Sequence, residues 1–229
     1  MRIDDILSKA KEEGRRFLLY TEAKALMEIW DIPMVPSKVA RNKGEALQTA
    51  RFIGFPVVMK VLSRDVVHKS DVGGVFVDLR SEGDVTEAYS SIEKNLEKSE
   101  SIRMEGVVVE KMLSGIEVCI GVTKDPQFGH VLMFGMGGTL VELIKDASFR
   151  LIPIDSTDAR EMIGEIKAFP MIEGYRGKKG DVESLKSLLL KVSHLTVQYP
   201  EIIEMDMNPV FNAPAGSTVA DIRVLIERK

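Results

Sequence analysis

The stretch VVVEKMLSGIEVCIGV, Val107 to Val122, decides the class of the fold. It contains two β-branched, alternating runs, Val107 to Met112 and Ile116 to Val122, with no helical pattern between them. A third run, Val131 to Phe134, follows. Further runs lie at Val57 to Val61, Val75 to Leu79, Ile202 to Met207 and Val219 to Ile226. Strands therefore arrive in clusters of two or three rather than in strict β-α alternation. That pattern predicts an α+β arrangement with antiparallel pairs, not a doubly wound parallel sheet.

Working outward, apolar residues recur at helical spacing in four places. Ala23, Leu26, Met27 and Trp30 lie in a segment ending at Pro33. Val85, Ala88, Tyr89, Ile92 and Leu96 follow Ser81, with Asp84 three residues on as in a capping box. A weaker stripe, Ala159, Ile163 and Ile166, follows Ser156. The clearest, Leu185, Leu188, Leu189, Val192 and Leu195, runs up to Pro200. The expected division is a helical extension over 1–19, a first lobe over 20–108 and a second over 109–229.

The chain has 229 residues, 31 Lys plus Arg against 35 Asp plus Glu, and a net charge of −4. With 45% hydrophobic residues it can bury a sizeable core. Mild acidity argues against blanket neutralisation of nucleic-acid phosphates. Cys119 is the only cysteine, which excludes an intramolecular disulfide, and no Cys/His spacing suggests zinc. Met1 to Gly14 lacks a signal peptide's apolar centre. The apolar stretch from Val131 stops at Glu142, well short of the roughly 20 residues a membrane helix needs. A reducing, cytoplasmic setting is expected, without membrane or nucleic acid as partner.

There is no G-x-x-x-x-G-K-[ST] loop, and Gly135-Met136-Gly137-Gly138 has Leu140 where a dinucleotide fingerprint needs glycine. Chemistry gathers instead at three places. Lys60 stands in the apolar strand Gly54-Phe55-Pro56-Val57-Val58-Met59-Lys60-Val61, where an ammonium meets an anion such as a phosphate or snorkels to a sheet edge. His68-Lys69-Ser70-Asp71-Val72-Gly73-Gly74-Val75 is either a glycine-rich hairpin or a loop whose N–H groups approach an anion, with His68 as base or phosphoryl acceptor.

The third is the C-terminal strand pair around the loop Asn212 to Ser217. Pairing centred there sets Asn208 opposite Asp221 and Asp206 opposite Arg223. Met205, Met207, Ala220, Ile222 and Val224 then share the face that packs on the core. Asn208 and Asp221 suit Mg²⁺, which is held by one or two such oxygens plus phosphates and water; a solvated polar face is the other reading. Asp206 projects to the same side. Glu110-Lys111-Met112 ends a strand at the lobe boundary and can offer backbone groups to a base, and Glu117 can accept from ribose hydroxyls. His130 and His194 fit surface or helix packing.

Together, in order and spacing, these elements resemble the ATP-grasp fold, two α+β lobes enclosing a nucleotide cleft. The string is similar to the β subunits of ADP-forming acetyl-CoA synthetases (acetate–CoA ligases), relatives of the succinyl-CoA synthetase β subunit, over nearly the whole chain from Tyr20. The resemblance implies that Lys60 contacts the phosphates of ATP or ADP, that Gly73 and Gly74 close over them, and that Glu110 with the Met112 backbone holds adenine. It implies Glu117 at the ribose and Asn208 and Asp221 at Mg²⁺. The implied reaction is acyl-CoA + ADP + phosphate ⇌ carboxylate + CoA + ATP, through an acyl phosphate and a phosphohistidine. A first phosphohistidine and the CoA site belong to an α subunit, in an expected α₂β₂ assembly. His68 matches a second, relaying histidine of this narrower family, absent from succinyl-CoA synthetase, with Asp206 placed to orient it. Glu142 and Arg150 match a family string without assigned roles. Two other readings stand beside this one: a stand-alone carboxylate–amine ligase of the same fold, and a non-catalytic ATP-sensing module.

Overall fold

The computed structural model describes residues 2–66, 69–97, 102–138, 146–175, 177 and 179–227. The chain divides into two compact units, Val35–Leu113 and a second made of Met1–Met34 with Ser114–Lys229. Where the sequence suggested lobes over 20–108 and 109–229, this division falls after Leu113, and the first 34 residues join the C-terminal unit.

The unit Val35–Leu113 holds β1 (Ser37–Ala40), α1 (Lys43–Ile53), β2 (Val57–Leu62), β3 (Val75–Leu79), α2 (Glu82–Leu96) and β4 (Gly106–Lys111). The strands form an antiparallel sheet in the order β1-β4-β2-β3. One face, carrying Val57, Met59, Val61, Val107 and Val109, packs on Ala46 and Ala50 of α1 and on Val85, Ala88 and Ile92 of α2. Ser81 opens α2 as expected: its hydroxyl accepts the Asp84 N–H at 3.2 Å and the Asp84 carboxylate accepts the Ser81 N–H at 3.0 Å. The α1 helix escaped the periodicity reading because its buried stripe is mostly alanine.

In the other unit come α3 (Ile3–Glu12), α4 (Tyr20–Ile29), β5 (Ile116–Asp125), β6 (Gly129–Met136), β7 (Ala147–Leu151), α5 (Ser156–Glu165), α6 (Phe169–Gly174), α7 (Val182–Gln198), β8 (Ile202–Ala213), β9 (Gly216–Val219) and β10 (Ile222–Ile226). Its sheet runs β10-β8-β5-β6-β7, with β9 also paired to β8, all antiparallel. Helices α3, α4, α5 and α7 bury their apolar stripes against one face. The N-terminal segment is stitched to this unit by its backbone: Leu18 N–H donates to the Val224 carbonyl at 3.0 Å, and Ile226 N–H to Arg16 at 2.8 Å. Val219 N–H donates to Pro33 at 2.8 Å. Those bonds are why residues before Val35 cluster with the far end of the chain.

The expected hairpin register is present. Arg223 faces Asp206, Ile222 faces Met207 and Val210 faces Val219. Met205, Met207, Ala220, Ile222 and Val224 are all buried. On its other edge β8 pairs with β5 through a shift, Val118 opposite Val210 but Ile120 opposite Met207, so that Asn208 and Pro209 together oppose Cys119. Such a bulge bends the strand and accommodates a residue that has no N–H to give the ladder. Among the described residues, no helix is long and apolar enough to cross a membrane.

Gly74 has a steric reason. A Cβ there would lie 2.4 Å from Val61 Cγ1 and 3.0 Å from the Lys69 carbonyl oxygen. Gly83, in the first turn of α2, would place its Cβ 3.5 Å from Ser81 Oγ, an ordinary contact. Gly74→Ala is therefore expected to destabilise the protein by about 1–3 kcal/mol, and Gly83→Ala to stabilise it by about 0.5 kcal/mol, both read from denaturant midpoints.

Candidate functional site

Lys60 on β2 and Glu110 on β4 point to the face of their sheet away from its core. The register sets Glu110 opposite Val58, two residues from Lys60 on the same face. Lys60 Nζ lies 2.8 Å from Glu110 Oε2, and the side chains are 9% and 2% exposed. Burial of a lone ammonium or carboxylate costs far more than burial of a hydrogen-bonded pair. Of the two readings of Lys60, the structure excludes snorkelling: the ammonium stays inside and meets an anion, here a carboxylate of its own sheet.

The turn before β3 is closed by its own backbone. Gly73 N–H donates to the Ser70 carbonyl at 3.0 Å and Gly74 N–H to Lys69 at 2.8 Å. The Gly73 carbonyl accepts from Asn95 Nδ2 at 3.0 Å, and the Gly74 carbonyl from Val61 N–H at 2.7 Å. Both donors that the sequence reading reserved for an anion are engaged in this conformation. What the glycines leave is bare backbone, with φ +62° at Gly73. Met112, half-buried just past β4, gives its N–H to Pro56 at 3.3 Å. His68 and Glu142 lie outside the described residues.

In the other unit, alternation along β8 turns Asp206 and Asn208 to solvent while Met205 and Met207 are buried. Asp221 lies between β9 and β10, half-buried, its Oδ1 accepting the Ile222 N–H at 3.0 Å. Asn208 stands at the bulge and Asp221 at the strand break beside it, between the Met207–Ile222 and Val210–Val219 pairs, and an amide and a carboxylate oxygen suit a hard divalent cation that keeps ligands of its own. No group of three or more His, Cys, Asp or Glu that could hold a metal occurs among the described residues. The donor set is thus of the kind that phosphates and water complete. Glu117 projects from the same face of β5; its carbonyl accepts Gly137 N–H at 2.9 Å, and a Cβ at Gly138 would come 3.0 Å from its Oε2.

Other candidates have structural work. Arg150 bonds the α5 carboxylates of Glu161 and Glu165, and the Glu165 bond raises its pKa. Asp146 accepts the Lys167 and Ala168 N–H groups at 2.7 and 2.9 Å ahead of α6. His130 Nε2 donates to the Ile202 carbonyl at 2.8 Å, and His194 is exposed on α7. Burial, then the Asp206 charge, pushes the Cys119 thiol up to about 11, so it stays protonated at neutral pH. Sequence reasoning assigned no role to Glu204 and Arg223, which share the face of Asp206 and bond each other. The same alternation that found Asp206 places them there.

A model of the ATP-grasp domain matches residues 9–226. The chain is 42% identical over 225 residues to the acetate–CoA ligase [ADP-forming] I subunit β of Pyrococcus furiosus, covering 97% of each. It is 43% identical over 228 residues to acetate–CoA ligase [ADP-forming] I of Archaeoglobus fulgidus, covering 98% of this chain but 33% of that protein, so it spans about a third of the longer relative. Among solved structures it superposes on dinucleotide-forming acetyl-coenzyme A synthetase 1 of Ca. Korarchaeum cryptofilum, in complex with coenzyme A, Ca-AMPCP and HgCl⁺, with TM-score 0.93 and 44% identity over 99% of this chain and 100% of that one. Another structure of that synthetase, with coenzyme A and Mg-AMPPCP, has its phosphohistidine segment pointing towards the nucleotide binding site; there the TM-score is 0.84 and the identity 43%, over 99% and 100% of the two chains. The antiparallel sheets, their helices and this likeness along the whole chain place the protein in the ATP-grasp family, among the β subunits of ADP-forming acetate–CoA ligases.

Proposed function

We propose that this chain is the nucleotide-binding subunit of an ADP-forming acyl-CoA synthetase, acting in acetyl-CoA + ADP + phosphate ⇌ acetate + CoA + ATP. The observation that carries it is the polar face of β8 and its partner: Asp206 and Asn208 exposed and Asp221 half-exposed, on strands whose other side is buried core. The Korarchaeum relatives bound to CoA and nucleotide analogues support the same reading.

Phosphoryl transfer needs positioning and charge stabilisation more than covalent chemistry from the protein. Lys60 exchanges its Glu110 partner for a phosphate oxygen of ADP or ATP. Glu110 then loses its buried partner, and a donor must replace the ammonium; the exocyclic amine of adenine is such a donor, and the Met112 carbonyl is a second acceptor for it. Gly73 and Gly74 let the chain pass close to the phosphates, and Glu117 accepts from the ribose. Asn208 and Asp221 hold Mg²⁺, which when bound neutralises phosphate charge.

His68 takes the phosphoryl group from a phosphohistidine on a CoA-binding α subunit. The P–N bond to the first imidazole breaks as one to His68 forms. In the second transfer an ADP β-phosphate oxygen attacks, the bond to His68 breaks, and a neutral imidazole remains. Asp206 orients that ring. The α₂β₂ assembly belongs to this proposal.

Mixed with its α subunit, the chain should make ATP from acetyl-CoA, ADP and phosphate. His68→Ala should abolish this while ADP affinity, by calorimetry, stays within about threefold; normal turnover of His68→Ala removes the relay. Lys60→Met is expected to lower kcat/KM for ADP roughly 10²–10³-fold. Asp221→Asn should raise the Mg²⁺ needed for half-maximal rate roughly tenfold, about 1.4 kcal/mol. Nucleotide binding with no phosphoryl transfer in the complete complex would point to a sensing module instead.

A further inference from the structure

On the face of the larger sheet away from its helices, one cross-strand row changes character from edge to edge. Phe149 on β7 stands opposite Met133 on β6, Met133 opposite Gly121 on β5, and Gly121 opposite Asp206 on β8. The next row is Leu151, Val131, Thr123 and Glu204. Leu151 apart, these residues line a groove of about 540 Å³, apolar along β6 and β7 and carboxylate-bearing along β8. Phe149 and Leu151 are 59% and 54% exposed at its apolar side. Neighbouring large apolar side chains left open to water on one strand mark a surface that something else covers.

The groove is open at its centre because Gly121 has no side chain. β5 is paired on both edges, and a glycine inside such a strand weakens it and marks a place that another molecule approaches closely. The fold does not require this glycine: a Cβ there would first meet the flexible end of Met133, Cε at 3.2 Å, with the Met205 carbonyl oxygen at an ordinary 3.8 Å. Three observations narrow the occupant. Asp206 lies both in the groove and on the face of Asn208 and Asp221, so whatever docks here stands beside the proposed phosphoryl site. The edge of β7 is blunted against an added strand, because the Phe149 carbonyl accepts from Arg150 Nη1 at 3.0 Å and Arg150 is held by Glu161 and Glu165. A second copy docked about a two-fold axis would bring two sets of Glu204 and Asp206 into one interface, where like charges cost energy. A different chain, apolar with a cationic group at its flank, suits both sides of the groove.

We propose that the CoA-binding α subunit docks in this groove, seating an apolar side chain over Gly121 against Met133 and Phe149 and a cationic one at Glu204 and Asp206. The proposal rests on the phosphoryl-transfer reading above, which needs that subunit to deliver its phosphoryl group beside Asp206. Gly121 and Phe149 then serve the partner protein and not the nucleotide.

Titration of the full chain with its α subunit, followed by sedimentation or calorimetry, tests this. Gly121→Val, which fills the groove with a residue that strands favour, and Phe149→Ser should each raise the Kd for the α subunit about tenfold or more. Phe128→Ser, an exposed aromatic at the β5–β6 turn, should leave it unchanged. ADP affinity of the isolated variants should match wild type, and at saturating α subunit ATP formation should return to the wild-type rate. Phe149→Ser, at an exposed position, carries the test alone if Gly121→Val lowers Tm. Wild-type affinity for the α subunit in Phe149→Ser overturns the proposal. So does a loss of ADP affinity in Phe149→Ser, which would give the groove to the nucleotide, or self-association of the chain that Phe149→Ser abolishes, which would give it to a second copy. If the wild-type chain binds the α subunit and no ATP forms, the phosphoryl-transfer reading fails, and the Kd of Phe149→Ser still decides where the α subunit docks.

Discussion

The architecture of the larger unit hangs on the two-residue period of β8. That strand pairs with β5 on one edge and with β9 and β10 on the other. Met205, Met207 and Val210 must all reach the same buried core. A strand of strict alternation cannot do this, because Met207 and Val210 are three residues apart. The bulge at Asn208-Pro209 supplies the missing step, and it fixes which residues face out: Glu204, Asp206 and Asn208 before it, Phe211 after it. A one-residue slip would carry these carboxylates into the core and the methionines to the surface. The polar face is therefore held by the hydrophobic burial behind it.

A different constraint governs the smaller unit. Its sheet carries a lysine and a glutamate on the face opposite the alanine-lined helices, both almost entirely buried. Such a pair adds little net stability over apolar residues of similar volume, and removing one partner is strongly destabilising. Its presence makes sense where one partner has a second ligand to turn to. The pair holds the ammonium within hydrogen-bond distance of the carboxylate and orders it in advance, so an exchange of partners there would entail little reorganisation.

Much of this was legible in the sequence because strand and hairpin signals are local. The β8–β10 register follows from the turn chemistry between Asn212 and Ser217 and from alternation, and every buried residue read from it is buried. The capping box at Ser81 and the long stripe of α7 are equally local. What escaped depends on distant partners or weak patterns. The β1 strand is short, and β7, Ala147–Leu151, mixes polar and apolar residues at a sheet edge. The assignment of residues before Val35 to the C-terminal unit rests on backbone bonds from Leu18 and Ile226 across some two hundred residues, which no local pattern encodes. The Lys60–Glu110 contact was hidden for the same reason: each residue was recognised, but their pairing needs the β2–β4 register.

The chemistry of the polar face follows from combining these two kinds of information. Alternation along β8 puts Glu204, Asp206 and Asn208 on one surface, an arrangement suited to a cation. Cross-strand register adds Arg223 opposite Asp206 and ties it to Glu204, placing fixed positive charge within the acidic set. Both signs thus stand in a small area, their positions set by strand geometry. Glu204 engages the guanidinium from the diagonal position, while Asp206 stands directly opposite Arg223. The division of labour between carboxylates is thus set by register, and the register by the buried methionines.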